Sequence, residues 1–436
     1  MYTNLSYIFA LDDSPNQSAT DSVVQSLTNG LQRLSESFPW IAGQVGSTGA
    51  DQGGSTAFKI IPFESMPPLQ TAHRPDLSIK TFIESNWSMQ MLDPDVFAPR
   101  LSPLGQAPKP SDPAPVFLLR ATFITGAVVL TFAANHSAMD MTGQTMMIRL
   151  LSRACHSIQF TEEELRLGNR EIGCKIALFE DRGDQELKAE IASQLSRKTA
   201  ETEIPKVNDP QEPAKLTWAY FQADMSSLAA IKAKATESNP SSSFVSTDDA
   251  LTALIWQAIS RARRSRLGVS TRLLLARAVD VRKSMGISER YPGMMQNMAF
   301  NNLTIEEVLE MPLGAVAAQL RNKLDPNNLG HAMRVIMTLM SRHPHESPIL
   351  PYLKPSHDVM ITSWAKMDCY SDDFDLGLGK PEIVLRPRLP PVGEGWVNLM
   401  PKSEKRGIIF GVCLREADMM LFKADEQLRE CVDCIA

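Results

Sequence analysis

Cysteine is scarce in this chain: six residues in 436, too thinly spread for the disulfide framework that staples small secreted domains. Cys431 and Cys434 form a terminal CxxC, but no second pair or neighbouring histidine completes a zinc set, so no metal is expected. Basic residues are not in excess either. Lys and Arg number 44 against 50 Asp and Glu, a net charge of −6, which argues against a dedicated nucleic-acid binder. No window reaches the roughly 18 consecutive apolar residues of a membrane span, and residues 1–9 carry neither a basic nor a long apolar leader segment. A cytoplasmic, monomeric protein without a membrane span is expected. GxGxxG, Walker-type and GxSxG signatures are absent as well. Gly377-Leu378-Gly379-Lys380 has a faint phosphate-loop look that the following Pro381 rules out.

What remains is a composition of 43 % apolar and 22 % charged residues, ordinary for a globular protein and long enough for two or three domains. Val23, Val24, Leu27, Leu31 and Leu34 recur at helical spacing, predicting a helix from Ser22 to Phe38 that Pro39 ends, with a strand starting over residues 41–45. Residues 46–112 read as loops and edge strands. Two β-rich runs, 116–123 and 127–132, meet at Thr125-Gly126 as a hairpin, and a helix containing Met146, Met147, Leu150 and Leu151 follows. The charged segment 181–215, with a modest helical pattern around Glu186 to Leu195, reads as a crossover between an N-terminal domain (1–180) and a C-terminal one (216–436). The second half opens with a strand at 216–221, a helix from Met225 to Glu237 and a long helix from Thr247 to about Arg264. Asp248 and Asp249 lie in that helix's favourable first turn, and Arg261, Arg263, Arg264 and Arg266 at its end. The class is mixed α/β.

The most informative stretch is Asn135-His136-Ser137-Ala138-Met139-Asp140-Met141-Thr142-Gly143, which follows the hairpin directly. A histidine at a strand-to-helix junction is held on a rigid base, and imidazole is the natural proton acceptor for a hydroxyl near neutral pH; a core histidine bonded to backbone is the plainer alternative. Asp140 is read either as a helix N-cap or as a carboxylate that orients His136 or pairs with an arginine. Ser137 lacks the glycines of a nucleophile elbow. Far downstream stands Asp375-Leu376-Gly377-Leu378-Gly379-Lys380-Pro381.

Taken together, these two segments resemble the HxxxD and DFGWGKP elements of the BAHD-type CoA-dependent acyltransferases, with leucine in both aromatic positions of the second. Ser246 to Trp256, Val279-Asp280-Val281-Arg282-Lys283 with Tyr291-Pro292-Gly293 and Asn297, and the ending from Met400-Pro401-Lys402 extend the likeness through nearly the whole chain, toward fungal trichothecene 3-O-acetyltransferases. The resemblance implies two similar-sized chloramphenicol-acetyltransferase-like domains with mixed sheets and a channel between them. His136 would be the general base, and Asp140 would face away and pair with Arg282. Asp375, Gly377 and Gly379 would support the site structurally. It also implies acetyl-CoA or another acyl-CoA as co-substrate, no tightly bound cofactor, and a small hydroxylated metabolite (terpenoid, polyketide or alkaloid) as acceptor.

The transfer would proceed through a ternary complex without an acyl-enzyme. The loop from Asn297 to Asn302 is the candidate source of an oxyanion donor, and the arginine run either complements the helix dipole or meets polyanionic CoA. Met294, Met295, Met298 and Phe300 are read as core before pocket. His343, His345 and His357 are read as members of a surface loop, and the CxxC as incidental. The short stretch before the first strand suggests either a shortened chain or a differently built acceptor face. Two alternatives stay open: a condensation-domain-like transferase using a carrier-protein donor, and a non-catalytic metabolite-binding relative.

Overall fold

β1 (Tyr2–Ala10) is buried along almost its whole length because it lies between two partners. The computed structural model describes residues 1–12, 17–48, 57–62, 69–100, 113–169, 176–190, 214–343, 353–391 and 393–436. In the first half follow β2 (Gln44–Thr48) and β3 (Ala57–Ile61), a separate hairpin, then β4 (Gln70–Ser78), β5 (Phe117–Thr125) and β6 (Ala127–Asn135). All nine residues of β6 are buried, as expected for a strand flanked on both sides by others and covered on both faces. Gly126 makes the β5–β6 turn with φ of +79°, a conformation that costs a residue without Cβ nothing. The helices Gln17–Ser37 and Met141–Cys155 pack together on this sheet.

The second half contains β7 (Leu216–Ala223), β8 (Arg272–Asp280), β9 (Gln296–Thr304), β10 (Val359–Ser363), β11 (Ile383–Leu385), β12 (Trp396–Leu399), β13 (Ile408–Arg415) and β14 (Asp433–Cys434). The larger sheet has the order β14-β7-β13-β12-β10-β8-β9, with β10 parallel to both β8 and β12 and the remaining pairs antiparallel. Its core centres on the helix Thr247–Leu267, started by a capping box between Ser246 and Asp249. The molecule is therefore mixed α/β with two sheet-based halves.

One segment of the second half crosses to the first sheet. β11, from the second half, pairs with β1, so the smaller sheet has the order β11-β1-β6-β5-β4. Trp364, Cys369, Phe374 and Leu376 also join the first core rather than the second. An edge of β1 left open would expose a row of unpaired backbone groups, and three residues of β11 cover it. The helix expected from Glu186 is observed as Asp184–Glu190; residues 191–213 of the expected crossover lie outside the described ones. Among the described residues no helix is long and apolar enough to cross a membrane.

Candidate active site

β6 ends at Asn135, where its neighbour β1 begins: Tyr2 pairs with Asn135, and the His136 N–H donates to the Met1 carbonyl at 2.9 Å. A tight turn follows, closed by Ala138 and Met139 N–H groups donating to the Asn135 carbonyl and by Asn135 Oδ1 accepting from the Ser137 N–H. The turn carries the imidazole out of the first sheet toward the second. His136 Nδ1 lies 3.2 Å from the Met139 carbonyl oxygen. A carbonyl can only accept, so Nδ1 carries the proton and Nε2 keeps a free lone pair. Burial draws the His136 pKa below its ordinary value, outweighing the raising effects of the Met139 carbonyl and the Asp140 charge. At neutral pH the ring is thus uncharged.

Asp140 faces away from that lone pair. Its Oδ1 accepts from the Gly143 N–H at 2.9 Å, capping the Met141–Cys155 helix, and from Arg282 Nη2 at 2.8 Å. Oδ2 accepts from Arg282 Nη1 at 2.9 Å and from the Met295 N–H at 2.8 Å. Arg282 has no exposed surface, and it also donates to the Tyr291 and Gly293 carbonyls and to Asp280. Burial alone lowers the guanidinium pKa, yet bonding to Asp140 and the charges of Asp140 and Asp280 outweigh it and the pKa rises. This fork joins the helix that begins beside His136 to the loop 281–295 of the second half.

Gly143 completes the junction. A Cβ built there would lie 1.9 Å from the Pro292 carbonyl oxygen, so the loop approaches the helix backbone as closely as glycine permits. Gly143→Ala should therefore cost roughly 1–3 kcal/mol of stability and lower activity, read as a fall in the urea midpoint. An unchanged midpoint would mean that the Pro292 loop withdraws freely and does not brace the helix.

Three cavities line up between the halves. The middle one, about 120 Å³, is bounded by His136, Thr3, Gln296, Thr362 and Asn398 among others. It shares Met141, Ala278, Gln296, Ile361, Thr362 and Trp364 with a second chamber of about 200 Å³ that adds Asp248, Arg277, Ser363 and Lys366. On the other side it shares Tyr2, Arg386 and Leu389 with a third chamber of about 440 Å³ walled by Pro94, Pro387, Pro390 and Pro391. Strand register brings these lining residues side by side: Met298 lies opposite Ala278, and Thr362 opposite Asn398. Sequence reading missed Thr362, Asn398, Gln296 and Arg386. They sit on four different strands or strand ends, and nothing in their local sequence signals convergence. Of the Asn297–Asn302 segment, Met298 reaches the middle chamber while Asn297 and Asn301 are buried elsewhere. Met295 is core, Met298 lines the chamber, and Phe300 lines a separate groove.

The chain matches the Transferase family model over residues 85–429, and residues 1–155 match the trichothecene 3-O-acetyltransferase-like N-terminal domain. It is 40 % identical to trichothecene 3-O-acetyltransferase TRI101 of Fusarium sporotrichioides, covering 98 % of this chain and 92 % of that protein. With a trichothecene 3-O-acetyltransferase of Saccharomyces cerevisiae it shares 37 % over 98 % of this chain and 91 % of the relative. The crystal structure of F. sporotrichioides TRI101 complexed with coenzyme A and T-2 superposes with a TM-score of 0.89 at 38 % identity, over 100 % of this chain and 96 % of that one. The chain belongs to the transferase family of BAHD acyltransferases. It is a CoA-dependent acyltransferase with that family's two-domain, chloramphenicol-acetyltransferase-like fold.

The second BAHD element lies away from the three chambers. Phe374 and Asp375 have φ of +56° and +52°, Gly377 and Gly379 +72° and +74°, and open space surrounds both glycines; backbone conformation, not crowding, explains them. The Asp375 carboxylate is 59 % exposed and lies 3.6 Å from His156 Nδ1. The residue that anchors the loop is Phe374, stacked on Phe132 at 5.5 Å, with its N–H on Ser152 Oγ. Leu376 and Leu378, which replace the family's aromatic residues, pack on the first core.

Other charged groups in this acyltransferase also have partners that sequence reading did not foresee. Asp248 and Asp249 pair with Arg277 at 2.8 and 3.0 Å. Burial pushes the Asp249 carboxyl up, but Arg277, Ser246 and Arg321 outweigh it and hold it below the usual range. Arg261 pairs with Asp425, and Arg263 and Arg266 with Glu394 and Asp418. These three of the four arginines in the run tie the long helix to the C-terminal segments, while Arg264 and Arg266 stand in its last turn, where the dipole reading expects cations. His343 bonds Asp184 and His357 bonds Ser356; His345 lies outside the described residues.

Proposed function

We propose that this enzyme transfers an acetyl group from acetyl-CoA to a hydroxyl of a fungal secondary metabolite, with His136 as general base. The observation that carries the reading is the free His136 Nε2 in the middle of three adjoining chambers that share lining residues, its tautomer set by the Met139 carbonyl. The names of the relatives, acetyltransferases of trichothecenes, supply the acyl group and the choice of a hydroxylated metabolite as acceptor. The chamber with Thr142, Ser363 and Lys366 suits the thin, amide-bearing pantetheine arm, and the wider proline-walled chamber suits a bulky acceptor.

The chemistry follows from these parts. Nε2 takes the acceptor hydroxyl proton as the oxygen attacks the thioester carbonyl, giving a tetrahedral oxyanion. Collapse of that intermediate breaks the carbon–sulfur bond, and the imidazolium returns the proton to the leaving thiolate. Gln296, Thr362 and Asn398 are the nearby donors for the oxyanion. Asp140, through Arg282, holds the turn and does not touch the reacting atoms.

Acetyl transfer to a panel of hydroxylated terpenoids and polyketides, followed by product mass and free-thiol release, tests the reading; CoA binding without acetylated product would refute it. The pH profile tests the base. A base must be unprotonated, and the His136 pKa is lowered by burial, so kcat/KM should be level through neutral pH. It should fall only on the acid side, with an apparent pKa below the ordinary histidine value of about 6.5. An acid limb centred above pH 7 would point to a different group.

A further inference from the structure

Four arginines in the described residues are less than a tenth exposed: Arg263, Arg277, Arg282 and Arg386. Three of them are neutralised, by Glu394 and Asp418, by Asp248 and Asp249, and by Asp140 and Asp280. Arg386, 9 % exposed, is not. Among the described residues no carboxylate pairs with it; Nη1 donates to Asn398 Oδ1 at 3.2 Å, Nε has no partner, and the guanidinium lies 5.2 Å from the Trp364 ring centroid. Its neighbour Arg388, by contrast, pairs with Asp93 at the surface. Burial draws the Arg386 pKa down to about 10, opposed only by the Tyr220 phenol, so the group is still a cation at neutral pH. A buried cation without a counter-charge opposes folding, and one that also borders two adjoining cavities is poised for an anion from outside the chain.

The geometry points to Arg386 as an acceptor-recognition residue, binding a carboxylate or comparably acidic oxygen carried by the alcohol that His136 deprotonates. Arg386 borders both the His136 chamber and the proline-walled chamber beside it. The donor cannot supply that anion. With its thioester beside His136, the long pantetheine arm holds the CoA phosphates far away, and the thioester itself is uncharged. Trp364 under the guanidinium, Asn398 on Nη1 and the enclosed position of Nε leave the other Nη N–H groups for a two-oxygen ligand, which a guanidinium fork grips with two parallel bonds. The inference rests on the proposed transferase reaction and narrows its acceptor to hydroxy acids and their acidic analogues.

The test uses 4-(hydroxymethyl)benzoate and 6-(hydroxymethyl)-2-naphthoate, each beside its methyl ester, with wild type, Arg386→Met and Arg386→Lys. Binding is read by calorimetry and transfer from acetyl-CoA by thiol release. The wild type should favour each acid over its ester by about 10–100-fold, chiefly through KM. Arg386→Met should bring the ratio near one, and Arg386→Lys should recover part of it. The melting temperature of Arg386→Met should equal or exceed that of the wild type, because the substitution removes an unpaired buried charge; a purely structural arginine would lower it. Binding of the acids through Arg386 without thiol release would sustain this inference and refute the transferase reading. Thiol release with equal use of acid and ester, an acid preference that survives in Arg386→Met, or failure of the wild type to bind either acid would overturn the inference.

Discussion

Replacement of His136 by alanine should lower kcat by about 10²–10⁴-fold while the KM for acetyl-CoA and the melting temperature stay close to those of the wild type. The side chain makes one hydrogen bond among the described residues, to the Met139 carbonyl within its own turn. The turn itself is held by other groups: the His136 N–H on the Met1 carbonyl, the Asn135 side chain and the Asp140 cap. Alanine keeps all of these and removes the one free imidazole nitrogen of the middle chamber. The loss therefore falls on the chemical step. Steady-state kinetics beside a thermal melt checks it, and turnover that survives the substitution would assign the base to another group.

Arg282→Met should act in the opposite place, on the fold. It would leave the Asp140 carboxylate buried at 4 % exposure, with only the Gly143 and Met295 N–H groups as donors, and would strip the Tyr291 and Gly293 carbonyls of theirs. Removing one partner of a buried ion pair costs roughly 3–5 kcal/mol, visible as a large drop in the urea midpoint, with activity falling alongside because the helix cap beside His136 loosens. Asp140→Asn combined with Arg282→Met should cost less than the sum of the two single changes, since neither charge is then left alone. Strict additivity, or an unchanged midpoint for Arg282→Met, would mean that the pair does not tie the two halves together.

Much of this was visible in the chain because it is local. Asn135 through Gly143 hold a strand end, a turn, a cap and the first turn of a helix within nine consecutive residues, so spacing alone suggests how His136 is presented. The Thr125-Gly126 turn and the periodicity from Val23 to Leu34 belong to the same category. The helix starts earlier than its apolar pattern, at Gln17, since polar first-turn residues carry no periodic signal. The second BAHD element was legible as a motif but not as a structure. Its anchoring side chain, Phe374, precedes the motif, and the motif's own carboxylate, Asp375, faces solvent.

The sequence by itself determined the family, the mixed α/β class, the histidine and the capping carboxylate, each through residues adjacent in the chain or at a fixed helical spacing. Only the tertiary structure decided that β11 closes the edge of the first sheet, that Gln296, Thr362, Asn398 and Arg386 surround His136, and that Gly143 sits against Pro292. These outcomes depend on strand order and register between segments up to several hundred residues apart. Short strands carry no signal for such pairing, since a partner is chosen by what remains uncovered once the rest has packed. The same holds for charge: an arginine's sequence neighbours do not tell whether a carboxylate will meet it. Three-dimensional packing supplies one to Arg263, Arg277 and Arg282 and, among the described residues, leaves Arg386 without.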